Sequence, residues 1–180
     1  ASSPLSKPTL VVKLSKKYPN MRLLLIGRKE DLGNPISNDT QNEIKNNPAI
    51  ISTGPQYNVP DFLAITNLFV FPSYREGFGL SLMEAGAMGV PAISTDIIGC
   101  NEVIEEGKTG LLIPARSSDA IVEAVEKLYN DKDLYKSIKS KCRQSIIDRY
   151  EQKTLWNKYL EFYKSFQKLY VGKTPHTYSF

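Results

Sequence analysis

The sequence has little histidine, little cysteine and no long apolar run, and each shortage excludes a class of protein. Its 180 residues include one histidine, His176, and two cysteines, Cys100 and Cys142. A single histidine in a polar tail leaves no serine-histidine-aspartate triad and no histidine-based zinc site. The cysteines have no metal-binding spacing and make no disulfide framework, so we predict free thiols in a reducing compartment. No apolar run approaches the roughly 20 residues that span a bilayer.

What remains is the composition of an ordinary globular domain, with 41% hydrophobic and 23% charged residues. A chain of this length is expected to form one domain with its own core. The net charge of +4 is uneven, because residues 1–115 sum to −1 and residues 116–180 sum to +5. This basic excess indicates either a solvated face or attraction to an anionic membrane surface. No basic stripe or motif indicates nucleic-acid binding.

Short apolar runs alternate with helical patterns along the chain. The runs predict strands over 22–26, 49–53, 68–71, 91–95 and 109–113. Helices are predicted over 9–18, 38–46, 58–66, 80–88, 100–105, 117–129, 131–148 and 151–169. Residues 28–37 are predicted to form a loop and residues 171–180 a flexible tail, which leaves one domain over 1–170.

The strands are continuously apolar rather than alternating, which is typical of a parallel sheet with helices on both faces. We therefore predict an α/β fold with an open, Rossmann-like parallel sheet. Ligands of such sheets bind beyond the carboxyl ends of the strands. Two of those ends are Gly27 and Gly54.

The segment from Pro72 to Pro91 carries the clearest chemical signal. A strand ends, a glycine-bearing loop follows, and a helix begins near residue 80. The free N–H groups and dipole of a helix start can hold a phosphate. Gly77 and Gly79 are expected to allow a close backbone approach and unusual dihedral angles, and Ser81 can add a hydroxyl donor.

Glu76 and Glu84 lie on either side of this helix start. A carboxylate accepts two hydrogen bonds, which suits the vicinal hydroxyls of a sugar or ribose. Two carboxylates around a phosphate site therefore fit a nucleotide sugar. The same pattern is also typical of an ordinary α/β protein in which Glu84 only favours the helix dipole, and spacing alone leaves both interpretations open.

The motifs from Glu76 to Pro114 resemble those of a known enzyme family. The E-x7-E motif runs from Glu76-Gly-Phe-Gly79 to Glu84-Ala85. The pattern continues through Gly89–Pro91, Ser94–Asp96, Gly99, Asn101–Ile104 and Gly107–Pro114. Over about residues 9–165 the chain resembles the C-terminal, nucleotide-sugar-binding domain of GT-B retaining glycosyltransferases, in particular "glycosyl transferases group 1" (family 4). The motif alone is weak, whereas the ordered set is specific.

The resemblance implies roles for the matching residues. Glu76 would contact the hydroxyls of the donor sugar at the catalytic centre, and Glu84 would bind the ribose hydroxyls. The backbone of Gly77, Phe78 and Gly79 would lie along the sugar. Members of the family have no established protein nucleophile, so Glu76 is not assigned that role.

The resemblance also implies how the rest of the donor is held. The amides of Leu80 and Ser81 would hold the diphosphate, and the loops after Gly27 and Gly54 would frame the base. No metal and no other cofactor is expected, because helix N–H groups and basic side chains offset the phosphate charge. The implied ligand is a UDP- or GDP-linked sugar.

The chain departs from the family pattern in two respects. The 180 residues have no room for the family's N-terminal acceptor domain. Neither the strand ending Gly-Arg that opens the second domain nor the Lys-Gly start of its helix is visible in them. Arg28, Lys29 and Arg75 are possible substitutes for those basic side chains. We therefore expect a C-terminal piece that lacks its first strand and transfers no sugar alone. The family implies polysaccharide or glycolipid synthesis in the cytoplasm, at the inner membrane face.

The sequence leaves two other functions open. A GT-B-like sugar-nucleotide epimerase shares the fold but needs titratable groups, which are scarce here. A non-catalytic nucleotide- or sugar-binding module is the alternative from a different class. A dinucleotide oxidoreductase is disfavoured, because Gly27-Arg-Lys-Glu does not supply the G-x-G-x-x-G fingerprint.

The last predicted helix carries an apolar stripe at helical spacing. The stripe packs on its own domain or, as the family's terminal helix does, reaches the other domain. In the second case it is exposed in this chain and favours association. Its members are Leu155, Trp156, Tyr159, Leu160, Tyr163 and Phe166.

Overall fold

The computed structural model describes residues 9–28 and 37–171, which form five strands and seven helices. The strands are β1 (Leu23–Ile26), β2 (Ile50–Gly54), β3 (Phe69–Phe71), β4 (Ala92–Thr95) and β5 (Gly110–Ile113). The helices are α1 (Thr9–Lys17), α2 (Asn38–Asn46), α3 (Val59–Ala64), α4 (Leu80–Ala87), α5 (Ser118–Asn130), α6 (Lys132–Tyr150) and α7 (Gln152–Val171).

All strand pairs are parallel, as the continuous apolar runs predict. β1 and β2 form one ladder, in which Leu23 lies opposite Ile50. β3, β4 and β5 form a second ladder, in which Ile93 lies opposite both Val70 and Leu111. The α/β class is confirmed, and the strands form two ladders rather than one continuous sheet.

Both faces of the second ladder are covered. Neighbouring residues of a strand point to opposite faces, so Ile93 and Ala92 of β4 enter different cores. The first core includes buried residues of α1, α5 and α6, among them Leu14, Ile121 and Ile138. The second core includes Leu82 of α4, together with Cys100, Val103 and Ile104. Each buried aliphatic side chain contributes about 1.5–3 kcal/mol.

The small residues of α4 allow close packing on two sides. Ala85 is buried in a third cluster, against which Phe69 of β3 packs. A Cβ on Gly86 would lie 2.8 Å from Cγ1 of Ile146, so glycine lets α4 and α6 approach each other. Arg143 adds a hydrogen bond from its guanidinium to the carbonyl oxygen of Ala87 (2.9 Å).

Side-chain caps set the starts of two C-terminal helices. Ser117 caps α5, because its Oγ accepts from the N–H of Ala120 (3.2 Å). Asp131 caps α6 by accepting from the N–H of Leu134 (2.9 Å). Such caps satisfy helix N–H groups that have no partner within the helix.

The helix predicted over 100–105 is wrong. The N–H groups of Val103 and Ile104 both donate to the carbonyl oxygen of Cys100, which closes single turns only. The N–H of Glu105 instead donates to Oγ1 of Thr109 (2.9 Å), so the turn does not continue into a helix. The predicted loop 28–37 lies outside the described residues except at its two ends. The predicted tail also lies outside them apart from Val171, where α7 ends.

Both cysteines are buried free thiols. Burial raises the pKa of the Cys142 thiol to about 11, so it stays protonated at neutral pH. A protonated, buried thiol is a poor nucleophile, and Cys142 is a core residue. No helix among the described residues combines the length and apolar character needed to cross a membrane.

Candidate functional site

Two buried hydroxyls of β4 fix the start of the loop between β3 and α4, Ser73–Gly79. Ser94 donates its hydroxyl to the carbonyl oxygen of Phe71 (2.8 Å), and Thr95 donates to that of Ser73 (2.5 Å). Both side chains are at most 1% exposed. A buried hydrogen bond of this kind fixes the backbone, because breaking it leaves a carbonyl unsatisfied.

The turn after β4 gives this loop a second support. The N–H of Gly79 donates to the carbonyl oxygen of Gly99 (3.0 Å). Gly99 has φ +86°, and a Cβ there would lie 2.5 Å from the carbonyl oxygen of Glu76. Only glycine fits such a contact at a positive φ. The backbone of Glu76 therefore rests directly on Gly99.

An aromatic pair gives the loop a third support. The ring of Phe78 meets the ring of Tyr150 edge to face, with centroids 5.7 Å apart. The Tyr150 hydroxyl donates to the carbonyl oxygen of Glu102 (2.6 Å), and burial raises its pKa. The guanidinium of Arg149 donates to the same carbonyl. The end of α6 thus positions the part of the loop that carries Phe78.

The start of α4 presents backbone donors. Gly79 is its N-cap residue and has no side chain to satisfy them. The N–H of Leu80 bonds to the carbonyl oxygen of Phe78 (2.7 Å), and the N–H of Met83 makes the first helical bond, to Gly79 (3.0 Å). Within the described residues, the N–H groups of Ser81 and Leu82 have no such partner, so the free donor beside Ser81 is Leu82 and not Leu80 as predicted. A phosphate group can accept from both, and the helix dipole favours it.

The two glutamates lie on either side of this helix start. Glu76 is half-buried and helps to line an open cleft of about 590 Å³. Glu84 lies one turn inside α4 and is exposed. The other residues that line the cleft are Tyr74, Arg75, Gly77, Ile97 and Ile98. Glu76 thus lies in the cleft beside the loop that leads into α4, and Glu84 on α4 itself; their roles toward a ligand stay a prediction.

Arg116, which the sequence did not indicate, places a positive charge beside Tyr74 of the cleft. The guanidinium of Arg116 lies 5.6 Å from the ring centroid of Tyr74. Arg116 follows β5 and has φ +65°, which is uncommon for a non-glycine residue. No motif indicates it, because its position depends on tertiary packing. Among the predicted substitutes, Arg75 lines the cleft, Arg28 is exposed at the end of β1, and Lys29 lies outside the described residues.

The predicted site residues fall into two groups. Residues 76–84 form one group, at the β3–α4 loop. Gly27 and Gly54 form the other, at the carboxyl ends of β1 and β2, where the N–H of Gly27 donates to the carbonyl oxygen of Gly54 (3.0 Å). No hydrogen bond or ion pair between described residues joins the two groups.

The glycines of the loop differ in backbone conformation. Gly79 has the unusual dihedral angles that were predicted (φ −67°, ψ 65°), although neither Gly77 nor Gly79 has a positive φ. Gly79 does make a close approach, because a Cβ there would lie 2.9 Å from the carbonyl oxygen of Gly99. The positive φ is instead at Gly99, the residue on which the loop rests.

A larger depression, of about 800 Å³, lies at the junction of α5 and α6. Acidic and basic side chains alternate around it, including Glu123, Glu126, Lys127 and Lys132. It contains no glycine loop, and the helix start at its edge, that of α6, is capped by the carboxylate of Asp131. The smaller cleft at Glu76 is therefore the better candidate for a binding site.

A Thr95→Val chain tests the support beneath the loop. Valine keeps the size of threonine but removes the hydroxyl, which leaves the carbonyl oxygen of Ser73 without its donor. We expect the free energy of unfolding to fall by about 1–3 kcal/mol. Amides of residues 75–79 should exchange hydrogen for deuterium faster. Thr109→Val is the control, because Thr109 is also buried but its hydroxyl oxygen accepts from the N–H of Glu105. Equal exchange of these amides in the two variants would contradict the assignment.

Comparison with known proteins identifies the family of the chain. The model of the family "Glycosyl transferases group 1" matches residues 9–145. The chain is 32% identical over 160 residues to the capsular polysaccharide biosynthesis glycosyltransferase CapM of Staphylococcus aureus, covering 89% of this chain and 42% of that protein. It is 32% identical over 114 residues to the N-acetyl-alpha-D-glucosaminyl L-malate synthase of Bacillus anthracis, covering 63% and 30%. This chain therefore belongs to the glycosyl transferases group 1 family, and it spans less than half the length of these relatives.

Solved structures show the same fold. Anabaena Alr3699/HepE in complex with UDP matches with a TM-score of 0.78 at 20% identity, over 91% of this chain and 46% of that one. The C-terminal domain of the Francisella tularensis glycosyl transferase group 1 protein LpcC matches with a TM-score of 0.73 at 23% identity, over 82% and 79%. The resemblance drawn from the sequence is thus confirmed, and the fold is that of a GT-B C-terminal domain.

Proposed function

We propose that this chain is the donor-binding part of a retaining glycosyltransferase, and that its ligand is a UDP- or GDP-linked sugar. One observation carries the proposal. The free N–H groups of Ser81 and Leu82, the cleft at Glu76 and the exposed Glu84 converge on one helix start. A nucleotide sugar has a diphosphate between two hydroxyl-bearing rings, which is the chemical pattern that this arrangement complements.

In the proposed complex the diphosphate lies at the start of α4. The amides of Ser81 and Leu82 donate to its oxygens, and Leu80 lies beside them. Glu84 accepts hydrogen bonds from the ribose hydroxyls, and Glu76 accepts from hydroxyls of the donor sugar. The exposed backbone of Gly77 leaves room for the sugar, since no atom lies within 4 Å of a Cβ placed there.

We further propose that transfer needs no metal ion. The leaving diphosphate is stabilised by the α4 dipole and by basic side chains at the cleft. Arg75 lines the cleft, and Arg116 approaches it across the ring of Tyr74. These two residues take the place of the basic side chains that the family carries on its opening strand and helix.

The proposed reaction breaks the bond between the anomeric carbon and the phosphate oxygen. The acceptor oxygen bonds to that carbon on the face that the phosphate leaves, and the departing phosphate takes the acceptor proton. Configuration is therefore retained without a covalent intermediate on Glu76. The residues that bind the acceptor belong to an N-terminal domain, which is not among the described residues.

The names of the relatives indicate the kind of biosynthesis in which this reaction takes place. CapM is described as a capsular polysaccharide biosynthesis enzyme. A further relative from Escherichia coli, 29% identical over 131 residues, is a galactosyltransferase that acts on a diphosphoundecaprenol-linked sugar. We propose that this chain likewise serves polysaccharide or glycolipid synthesis, on the cytoplasmic side of a membrane with which it makes peripheral contact.

Ligand-detected NMR with UDP, GDP, ADP and their sugar conjugates tests the donor site. EDTA is present throughout, because the proposed binding is independent of metal. We expect one nucleotide series to bind and Glu84→Ala to weaken its affinity about 10- to 100-fold, as the loss of charge-assisted hydrogen bonds predicts.

Glu123→Ala is the matched control for Glu84→Ala. It removes the same side chain from the depression between α5 and α6 and should leave nucleotide affinity unchanged. The proposal is contradicted if no nucleotide binds, if binding requires a divalent metal, or if Glu123→Ala weakens binding as much as Glu84→Ala does.

A further inference from the structure

The end of α6 carries a side-chain network that the proposed donor contacts do not include. The guanidinium of Arg149 donates to the hydroxyl of Tyr150 (2.6 Å) and to the carbonyl oxygen of Val103 (3.2 Å). It also donates to the carbonyl oxygen of Glu102, which accepts from the Tyr150 hydroxyl as well (2.6 Å). Both side chains are half-buried. Arg149 and Tyr150 therefore fasten α6 to the turns that follow β4.

An ionised carboxylate holds Arg149 in this place. The guanidinium forms an ion pair with Glu105 (3.5 Å). Glu105 also accepts from the ammonium of Lys108 (2.6 Å) and from the hydroxyl of Ser145 (3.1 Å). The hydrogen bond from Lys108, more than that from Ser145, lowers the pKa of the Glu105 carboxyl, so the carboxyl is charged at neutral pH. The guanidinium is thus fixed between this carboxylate and the backbone carbonyls.

The ring of Tyr150 connects this network to the β3–α4 loop. It meets the ring of Phe78 at 80° with centroids 5.7 Å apart, which is a favourable edge-to-face contact. Phe78 lies between Gly77 and Gly79, and it belongs to none of the three hydrophobic clusters of the described residues. The contact with Tyr150 therefore orients the middle of the loop, where no core packing does so.

The start of α4 is held by different contacts. Leu82 is 1% exposed and Ala85 is fully buried, and each belongs to a hydrophobic cluster that does not include Tyr150. The N–H groups of Ser81 and Leu82 therefore keep their place when the ring of Tyr150 is removed. The backbone around Phe78 loses its aromatic support in that case. One substitution at the end of α6 can thus disturb the loop and spare the helix start.

We propose that Tyr150, held by Arg149, is a positioning residue that sets the affinity of the site for the sugar half of its donor. The inference rests on the proposed function, in which the loop around Gly77 lies along the sugar while the α4 amides and Glu84 hold the diphosphate and ribose. Tyr150 touches neither half of the donor and acts through Phe78. It therefore governs how strongly the site prefers the intact nucleotide sugar over the nucleoside diphosphate that transfer leaves behind.

Calorimetric titration of the 180-residue chain tests this division. The ligands are UDP, UDP-glucose, GDP and GDP-glucose, and the measured quantity is the affinity for each sugar conjugate relative to its nucleoside diphosphate. Tyr150→Leu should leave the affinity for the diphosphate within about twofold and weaken that for the sugar conjugate about three- to tenfold, the effect of losing one aromatic pair. A general loss of stability would lower both affinities and leave their ratio unchanged.

Two further variants separate the ring from the hydroxyl and from the helix. Tyr150→Phe keeps the contact with Phe78 and should retain at least about half of the affinity for the sugar conjugate. Tyr135→Leu is the matched control, because Tyr135 is also a half-buried tyrosine of α6 and its hydroxyl donates to the carbonyl oxygen of Asn67 (3.0 Å). Its ring packs on the first core, so its loss should leave the ratio unchanged.

Phe78→Leu breaks the same ring contact from the loop side and should lower the ratio by the same factor as Tyr150→Leu. Because Phe78 is 39% exposed, this variant serves if Tyr150→Leu does not fold. The inference is overturned if both variants weaken the two ligands equally or not at all, or if Tyr135→Leu lowers the ratio as much. The donor site still stands in those cases. If the unsubstituted chain binds none of the four ligands, the proposed function fails and the inference falls with it.

Discussion

A Gly99→Ala chain is expected to lose about 2–4 kcal/mol of unfolding free energy and its affinity for the nucleotide. The new Cβ would lie 2.5 Å from the carbonyl oxygen of Glu76 and 3.0 Å from its carbonyl carbon. Both are backbone atoms, so no side-chain rotation relieves the contact. The positive φ adds a conformational penalty of about 1–3 kcal/mol for alanine. Together the two effects push the β3–α4 loop away from β4 and from the start of α4.

Urea unfolding and nucleotide titration measure the two effects separately. Gly107→Ala is the control, since Gly107 also has a positive φ (+69°) but no atom lies within 4 Å of an added Cβ. It should cost only the conformational penalty and leave nucleotide affinity intact. If Gly99→Ala behaves like Gly107→Ala in both measurements, Gly99 does not position the loop.

An Ile138→Ala chain is expected to lose about 2–5 kcal/mol of unfolding free energy. Ile138 of α6 has no exposed surface and lies in the core with Ile93 of β4 and Leu128 of α5. Truncation removes buried apolar surface and leaves a cavity among three elements. The free energy of unfolding of a domain is typically about 5–15 kcal/mol, so this is a large share.

Ile147→Ala, in the same helix, is the control for this cavity. Ile147 is 40% exposed, so its truncation should change the free energy of unfolding by less than about 1 kcal/mol. Thermal and urea unfolding compare the two variants. A loss of the same size in both would contradict the assignment of α6 to the core through Ile138.

The strands and most helices were predictable from the sequence because their apolar patterns are local. The run at 23–26 is too short for a helix, and Gly27 ends it, so its place in a parallel ladder follows from composition, although its residues are half-buried or, at Ile26, exposed. Ser117 and Asp131 start α5 and α6 through their own side chains. The acidic and glycine residues of the β3–α4 segment were likewise visible, because a loop before a helix start places them together.

The sequence could not predict contacts that depend on packing between distant segments. Gly99 supports Glu76 across 23 positions, and Arg116 reaches Tyr74 across 42. The turns at 97–104 were mistaken for a helix, because no sequence pattern indicates the competing hydrogen bond from the N–H of Glu105 to Oγ1 of Thr109. The exposure of the α7 stripe, for example 62% at Trp156, was one of two cases that the sequence left open, since an apolar stripe does not tell what covers it.

Amide chemical shifts test most directly whether a nucleotide sugar binds across the start of α4. The ¹⁵N-labelled chain is titrated with the nucleotide sugar whose base the binding panel selects. We expect the largest shifts on the amides of Gly77, Gly79, Ser81 and Leu82. Shifts confined to the junction of α5 and α6, or none at saturating ligand, would contradict it.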